Sequence, residues 1–242
     1  MGRARGLRPA RKRILIGVIA ALVVLAALAA LRIAVNARCF AWQAPVVCHV
    51  ETNDKRVALT FDDGPSRRGL EAVLPALEAH GASATFFLNG NEVERNPGLA
   101  TQILDAGHEI GSHGFTHDRL LDLTGSRPAR ELETTDAALA AEGVPKPRWF
   151  RPPYGTKFLG LSGAVRDNDQ TVVMWDVREP SAKDGPEAYA RQVLEQVRPG
   201  SIILIHPMVS SRDVERAAVP LVLEGLAARG YEVVCVGELV DG

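Results

Sequence analysis

Val57-Ala58-Leu59-Thr60-Phe61-Asp62-Asp63-Gly64-Pro65 is an apolar run that closes on two carboxylates and a Gly-Pro turn. Val57–Phe61 reads as a strand, because it is uncharged and rich in side chains that suit a pleated, buried surface. In a regular strand adjacent side chains point to opposite faces, so Asp62 and Asp63 would part. The Gly-Pro turn straight after them lets the backbone bend, and both carboxylates can then reach the strand mouth. Asp-Asp-Gly-Pro is also good turn chemistry in its own right. On these residues alone the two readings carry equal weight.

Outward from this stretch, apolar runs alternate with amphipathic ones. Ala84–Leu88, Thr171–Trp175, Ser201–Ile205 and Tyr231–Val236 read as further strands, and Glu109–Ser112 and Trp149–Arg151 as shorter ones. Helical patterns lie between them at Arg68–His80, Pro97–Ala106, Pro128–Glu142, Pro186–Val197 and Val214–Arg229. Gly81, Gly107, Gly143 and Gly230 follow several of these at C-cap positions. Such alternation predicts an α/β domain with a parallel sheet of about seven strands covered by helices. Periodicity does not decide between a barrel and an open sheet. In either, the functional site belongs at the C-terminal ends of the strands.

Three more groups of chemistry-bearing residues fall at expected strand ends. Ser112-His113-Gly114-Phe115-Thr116-His117 spaces two imidazoles i, i+4. If the segment is helical they share a face and can hold one metal ion, although a lone pair at this spacing is weak evidence. Arg151-Pro152-Pro153-Tyr154-Gly155 is a stiff loop whose Arg either holds a carboxylate bidentately or is merely solvated. In Leu204-Ile205-His206-Pro207 an apolar run ends in one His, which alone is more often structural than catalytic. Gathered by a parallel α/β fold, these residues supply a carboxylate and two imidazoles for Zn²⁺ or a similar divalent ion. They leave a spare Asp as base, an Arg to orient it and a His as acid. That is equipment for metal-assisted hydrolysis of an acyl bond.

The 242 residues carry 28 Lys+Arg and 29 Asp+Glu, an ordinary globular mixture that excludes wholesale disorder. The balance hides an asymmetry. Residues 1–38 hold eight basic residues and no acidic one, so residues 39–242 carry a net charge of −9. An acidic body argues against a nucleic-acid partner. Ile14–Leu31 is a run of 18 uncharged residues. Extended as a helix over residues 14–35 it is long enough to cross a bilayer. The basic segment 1–13 before it predicts a cytoplasmic N-terminus and an extracytoplasmic body. A cleaved signal peptide, with secretion, is the alternative. Residues 36–54 read as a linker and 55–242 as the catalytic domain. Past the membrane, an oxidising compartment would allow a Cys39–Cys48 disulfide, while Cys235 reads as a core residue.

The order and wording of the four motifs resembles the polysaccharide deacetylase family, the NodB-homology domain of carbohydrate esterase family 4, over roughly Lys55 to Leu239. The resemblance implies an irregular (β/α) barrel of fewer than eight strands. It implies a divalent metal, preferably zinc, on Asp63, His113 and His117, with Asp62 as general base. Arg151 would orient that base, the Tyr154 backbone N–H would help hold the oxyanion, and His206 would be the general acid. The implied reaction is hydrolytic removal of acetyl groups from N-acetylated sugars, of peptidoglycan or a chitin-like oligosaccharide.

Three residues depart from the family pattern. Gly114 stands where Ser or Thr usually follows the first His, and Pro207 after His206 is unusual. In Trp175-Asp176-Val177-Arg178-Glu179-Pro180-Ser181, Arg178 occupies an acidic position that steadies the catalytic His. With a one-residue bulge Glu179 takes that role, and Asp176 is a second candidate. Two rival functions remain open: O-acetyl ester hydrolysis by the same site, and an inactive, anchored glycan-binding protein. A glycosidase built on Asp62 and Asp63 is the poorest option, since its acids must stand ~5 Å or more apart across the bond. Aromatics make up only 5% of the chain, which favours a short or shallow sugar site.

Overall fold

The computed structural model describes residues 9–242 apart from Phe158. The expected basic residues Arg3, Arg5 and Arg8 lie outside the described residues. Two units are distinct, Met1–Ala37 and Arg38–Gly242. Among its described residues the first is one helix, α1 (Pro9–Asn36), whose stretch Arg11–Asn36 has a mean hydropathy of 3.1 and no buried residue. No side of α1 is polar from Ile14 to Leu31, so it lacks the polar face that an amphipathic helix turns to water.

The second unit is built on eight parallel strands. β1 (Val46–Val47) is followed by β2 (Arg56–Gly64), α2 (Arg67–Ala79), β3 (Thr85–Leu88), α3 (Gly90–Arg95), α4 (Leu99–Asp105) and β4 (Glu109–Ser112). Then come α5 (Ser126–Ala141), β5 (Trp149–Phe150), a 3-10 turn at Pro153–Gly155, α6 (Leu159–Asp167) and β6 (Thr171–Val173). A second 3-10 turn (Ala182–Asp184), α7 (Gly185–Leu194), β7 (Ile202–Ile205), α8 (Asp213–Ala228), β8 (Glu232–Val234) and α9 (Val236–Asp241) complete the chain.

The sheet runs β1-β6-β5-β4-β3-β2-β7, with β8 added to the N-terminal half of β2. Its two edges meet. Val177, just past β6, bridges Ile203 of β7, and His49, just past β1, bridges Ser201. The sheet thus curls into an irregular barrel, which settles the barrel-or-open-sheet question. Asp176 serves this closure: its carboxylate accepts from the Ile202 N–H at 2.8 Å and the Ser201 hydroxyl at 3.0 Å.

β2 shows why the pattern works. Val57, Leu59 and Phe61 face outward into a core shared with Val73 and Leu77 of α2 and Val219, Val222 and Leu226 of α8. Ala58 faces the barrel interior with Phe87, Trp149, Val173 and Ile202. Both faces are dry, so the strand reads as continuously apolar, and each fully buried large side chain contributes ~1.5–3 kcal/mol.

Residues 36–54 differ from the expected linker. They supply β1, which pairs with β6, and carry the Cys39–Cys48 disulfide with Cα atoms 5.3 Å apart. A two-residue strand with one apolar pair is too short to give a period-2 signal. Helices α3, α6 and α9 were also not expected, and the apolar run Tyr231–Val236 splits into β8 and the start of α9. Cys235 is buried, as a core residue.

Candidate active site

β2 does not end as a regular strand. Its register to β3 shifts between Asp62 and Gly64, and Asp63 takes a left-handed backbone with φ of 65°. This bulge breaks the pleat at the pair, so consecutive carboxylates both reach the mouth of the barrel. Ser66 follows, caps α2 through the Gly69 N–H at 3.2 Å, and donates to the Met208 carbonyl at 2.7 Å. The loops after β2 and β7 are thereby tied together.

Asp62 is buried against Arg151, whose Nη1 donates to Oδ1 at 2.6 Å. Arg151 is fully buried and its other donors are used: Nη1 to the Thr60 hydroxyl at 2.7 Å, Nε to the Val173 carbonyl and Nη2 to the Met174 carbonyl, both at 3.1 Å. Its guanidinium lies over the Phe87 ring, 4.0 Å from the centroid. A buried charge is tolerable only when paired and hydrogen-bonded in this way. Thr60 was not singled out by sequence reasoning. As an inward-facing hydroxyl on an apolar strand it is the kind of residue that carries such a signal.

Asp63 faces the imidazoles. Its Oδ1 lies 3.0 Å from His117 Nε2 and 3.6 Å from His113 Nε2, and Oδ2 lies 3.9 Å from His206 Nε2. Burial opposes ionisation of Asp63, but the contact with His117 and the nearby imidazoles outweigh it and hold its pKa well below the carboxylate range. His113 Nδ1 sits 2.7 Å from the Arg151 carbonyl. That places the proton on Nδ1 and leaves the Nε2 lone pair facing Asp63. Burial also lowers the His113 pKa, despite the carboxylates nearby, and favours the neutral ring.

The donor set fits a cation. Ligand atoms of Asp63, His113 and His117 lie within 4.8 Å of one another. Asp63 Oδ1 is buried yet accepts no well-aligned hydrogen bond among the described residues. Two imidazoles and one carboxylate converge there, the chemistry of a divalent metal centre with open positions.

The pair His113 and His117 meets by a different route from the expected helical turn. His113 follows β4 directly, Gly114 has φ of 80° and His117 has φ of 60°, so a tight loop folds the second ring back onto the first at 5.1 Å between centroids. Gly114 takes that φ without the strain an L side chain would bear. The loop is held by Glu131 of α5. Its buried carboxylate accepts from the Phe115 N–H at 2.8 Å and from the Thr116 N–H and hydroxyl, each at 2.9 Å. Sequence reasoning missed Glu131; the signal was a carboxylate on the otherwise apolar face of α5 with Leu132, Thr135 and Leu139.

His206 follows β7. Its Nδ1 stands 3.0 Å from Glu179 Oε1, so Glu179 and not Asp176 faces this imidazole. Burial favours the neutral ring, but Glu179 and the Asp62 and Asp63 carboxylates outweigh it and raise the His206 pKa. The loop beyond Pro207 is clamped by buried Arg216 of α8, which donates to the carbonyls of Pro207 at 2.9 Å, Val209 at 2.6 Å and Ser210 at 2.8 Å. Tyr154 lies in the 3-10 turn with φ of 59°, its ring 4.8 Å from His117 and under the Arg119 guanidinium at 4.2 Å. Asp62, Asp63, His113, His117, Tyr154, Glu179 and His206 open on one cleft of ≈ 400 Å³, at the small end of ligand sites; Arg151 lies behind them, fully buried.

Residues 49–171 match the model of the polysaccharide deacetylase family. A peptidoglycan-N-acetylglucosamine deacetylase of Bacillus cereus is 34% identical over 199 residues, covering 81% of this chain and 92% of its own. Two other curated relatives are longer, and the chain spans 53% and 41% of their length. Among solved structures, the peptidoglycan N-acetylglucosamine deacetylase Bc1960 superposes with a TM-score of 0.76 at 27% identity, over 82% of this chain and 94% of its own. BA3943 of Bacillus anthracis, described as a CE4 family pseudoenzyme, superposes with a TM-score of 0.74 at 29% identity, over 82% and 69%.

Proposed function

Because the chain belongs to the polysaccharide deacetylase family, we propose that it is a metal-dependent hydrolase that removes acetyl groups from N-acetylated sugars of peptidoglycan. The observation that carries this reading is the convergence of Asp62, Asp63, His113, His117 and His206 on one cleft.

Asp63, His113 and His117 would hold the ion, and zinc suits two neutral imidazoles with one carboxylate. When bound, the ion supplies Lewis acidity toward the acetyl carbonyl and lowers the pKa of water. Asp62, held by Arg151 at 2.6 Å, takes a proton from the attacking water. The Tyr154 N–H donates to the carbonyl oxygen as negative charge gathers there. As the carbon–nitrogen bond breaks, His206 gives its proton to the departing amine, leaving acetate and a free amino sugar. The Glu179 carboxylate keeps His206 protonated for that step and so supports activity over the inactive-binder reading, despite Arg178.

Helix α1 is the proposed membrane anchor, with the catalytic domain outside the cytoplasm. The Cys39–Cys48 disulfide supports that side, since such bonds persist in oxidising compartments.

The test is acetate release from peptidoglycan and from N-acetylglucosamine oligomers by the full chain, with bound metal counted beforehand. Release that a chelator abolishes and zinc restores is expected. A stoichiometric metal with release only from O-acetylated glycan would move the reading to an esterase. Absence of bound metal would overturn it.

A further inference from the structure

The cleft has one cation too many. Arg151 is matched by Asp62 at 2.6 Å, His206 by Glu179 at 3.0 Å, and Arg212 by buried Glu215 at 2.6 Å. Asp63 is committed to the imidazoles. Arg178 also lines the cleft, its side chain exposed, and its guanidinium makes no ion pair among the described residues.

Arg178 is nevertheless held in place. The Gln196 side chain accepts from the Arg178 N–H at 3.2 Å and donates to the Arg178 carbonyl at 3.0 Å. This clamp sets the chain direction that turns Glu179 toward His206 and leaves Arg178 at the rim. What sets Arg178 apart is its place in the cleft lining, and guanidinium geometry suits a carboxylate.

We propose that Arg178 selects glycan units bearing a carboxylate close to the acetamide being cleaved. This rests on the deacetylase reading above and narrows its substrate. In peptidoglycan the chemistry points to the muramic acid residue, whose lactyl ether sits on the carbon next to the acetamido carbon. Its carboxylate is free where the stem peptide is absent; where the peptide is present, the carboxylates are those of the peptide. A neutral N-acetylglucosamine oligomer offers Arg178 nothing.

The experiment compares the full chain and Arg178→Gln on three probes: peptide-free glycan strands, peptide-bearing strands and N-acetylglucosamine tetramer. Both kcat/KM for acetate release and Kd by calorimetry are measured. The wild type should favour a carboxylated probe over the tetramer. Arg178→Gln should cut that ratio about fivefold, chiefly in KM, the scale of one solvent-screened ion pair. Arg178→Lys should restore part of it, and rising salt should erode it. Whether peptide-free or peptide-bearing strands carry the effect identifies the carboxylate. A carboxylated-to-neutral ratio unchanged by Arg178→Gln, in turnover and in Kd, overturns the proposal. Acetate release from none of the probes would sink the deacetylase reading instead, with the Kd ratio still deciding the role of Arg178.

Discussion

Glu179 Oε1 stands 3.0 Å from His206 Nδ1, and the Tyr189 hydroxyl of α7 donates to the other carboxylate oxygen at 3.1 Å. Burial opposes ionisation of Glu179, but His206, Arg212 and Tyr189 outweigh it and lower its pKa, so the carboxylate is charged where the imidazole needs a counterion.

Glu179→Gln should therefore weaken the proposed acid step. A general acid is active while protonated, so activity falls as pH rises through the His206 pKa. Removing the Glu179 charge lowers that pKa and moves the alkaline limb of kcat to lower pH. Near neutrality kcat should drop about ten- to hundredfold, part of what acid catalysis supplies. A pH–rate profile checks this, and an unmoved alkaline limb would exclude Glu179 as the partner.

Arg151→Met should destabilise the fold strongly. It strands the buried Asp62 carboxylate at the barrel mouth, a loss of ~3–5 kcal/mol for breaking a buried pair. Adding Asp62→Asn removes the stranded charge and should recover part of that loss. Urea unfolding of both variants tests the pair, and equal instability would show that the charge is not the cause.

Glu131→Ala should loosen the loop between His113 and His117. Metal affinity should fall about ten- to hundredfold, typical of losing a group that orients ligands. Glu131→Gln keeps one acceptor oxygen and should fall less. Competitive titration with a chromophoric chelator measures it; wild-type affinity in Glu131→Ala would leave the carboxylate a helix-packing role only.

Asp63→Asn should empty the metal site while leaving the fold intact, because Asp63 lies at the cleft and makes no buried ion pair with a cationic arginine or lysine. Metal content near zero with wild-type far-UV circular dichroism is the expected pair of readings. Retained stoichiometric metal would show that the ion is held elsewhere.

Much of this was legible in the residues themselves. The continuous apolar runs ending at Phe61 and Ile205 mark strands buried on both faces, Glu109–Ser112 reads as a shorter strand, and residues that follow each of them meet in the cleft. Resemblance of the four motifs carried the family and the reaction class, because the four in one order are specific where each alone is not.

Other relationships depend on contacts distant in sequence. The resemblance left Glu179, with Asp176 second, as partner for His206; closure of the barrel onto Ile202 engages Asp176, and Glu179 faces the imidazole. The loop geometry at Gly114 and the carboxylate of Glu131 sit 17 residues apart, on separate elements. The short strand β1 exists only because β6 offers it an edge.

By itself the sequence determined the strands β2 to β8, the residue types at their ends and the apolar α1, since each is written in a contiguous stretch. Only the tertiary structure decided that the sheet closes into a barrel, which carboxylate serves which cation, and that Arg178 is left without one, because charge pairing inside a fold is a property of distance, not of order along the chain.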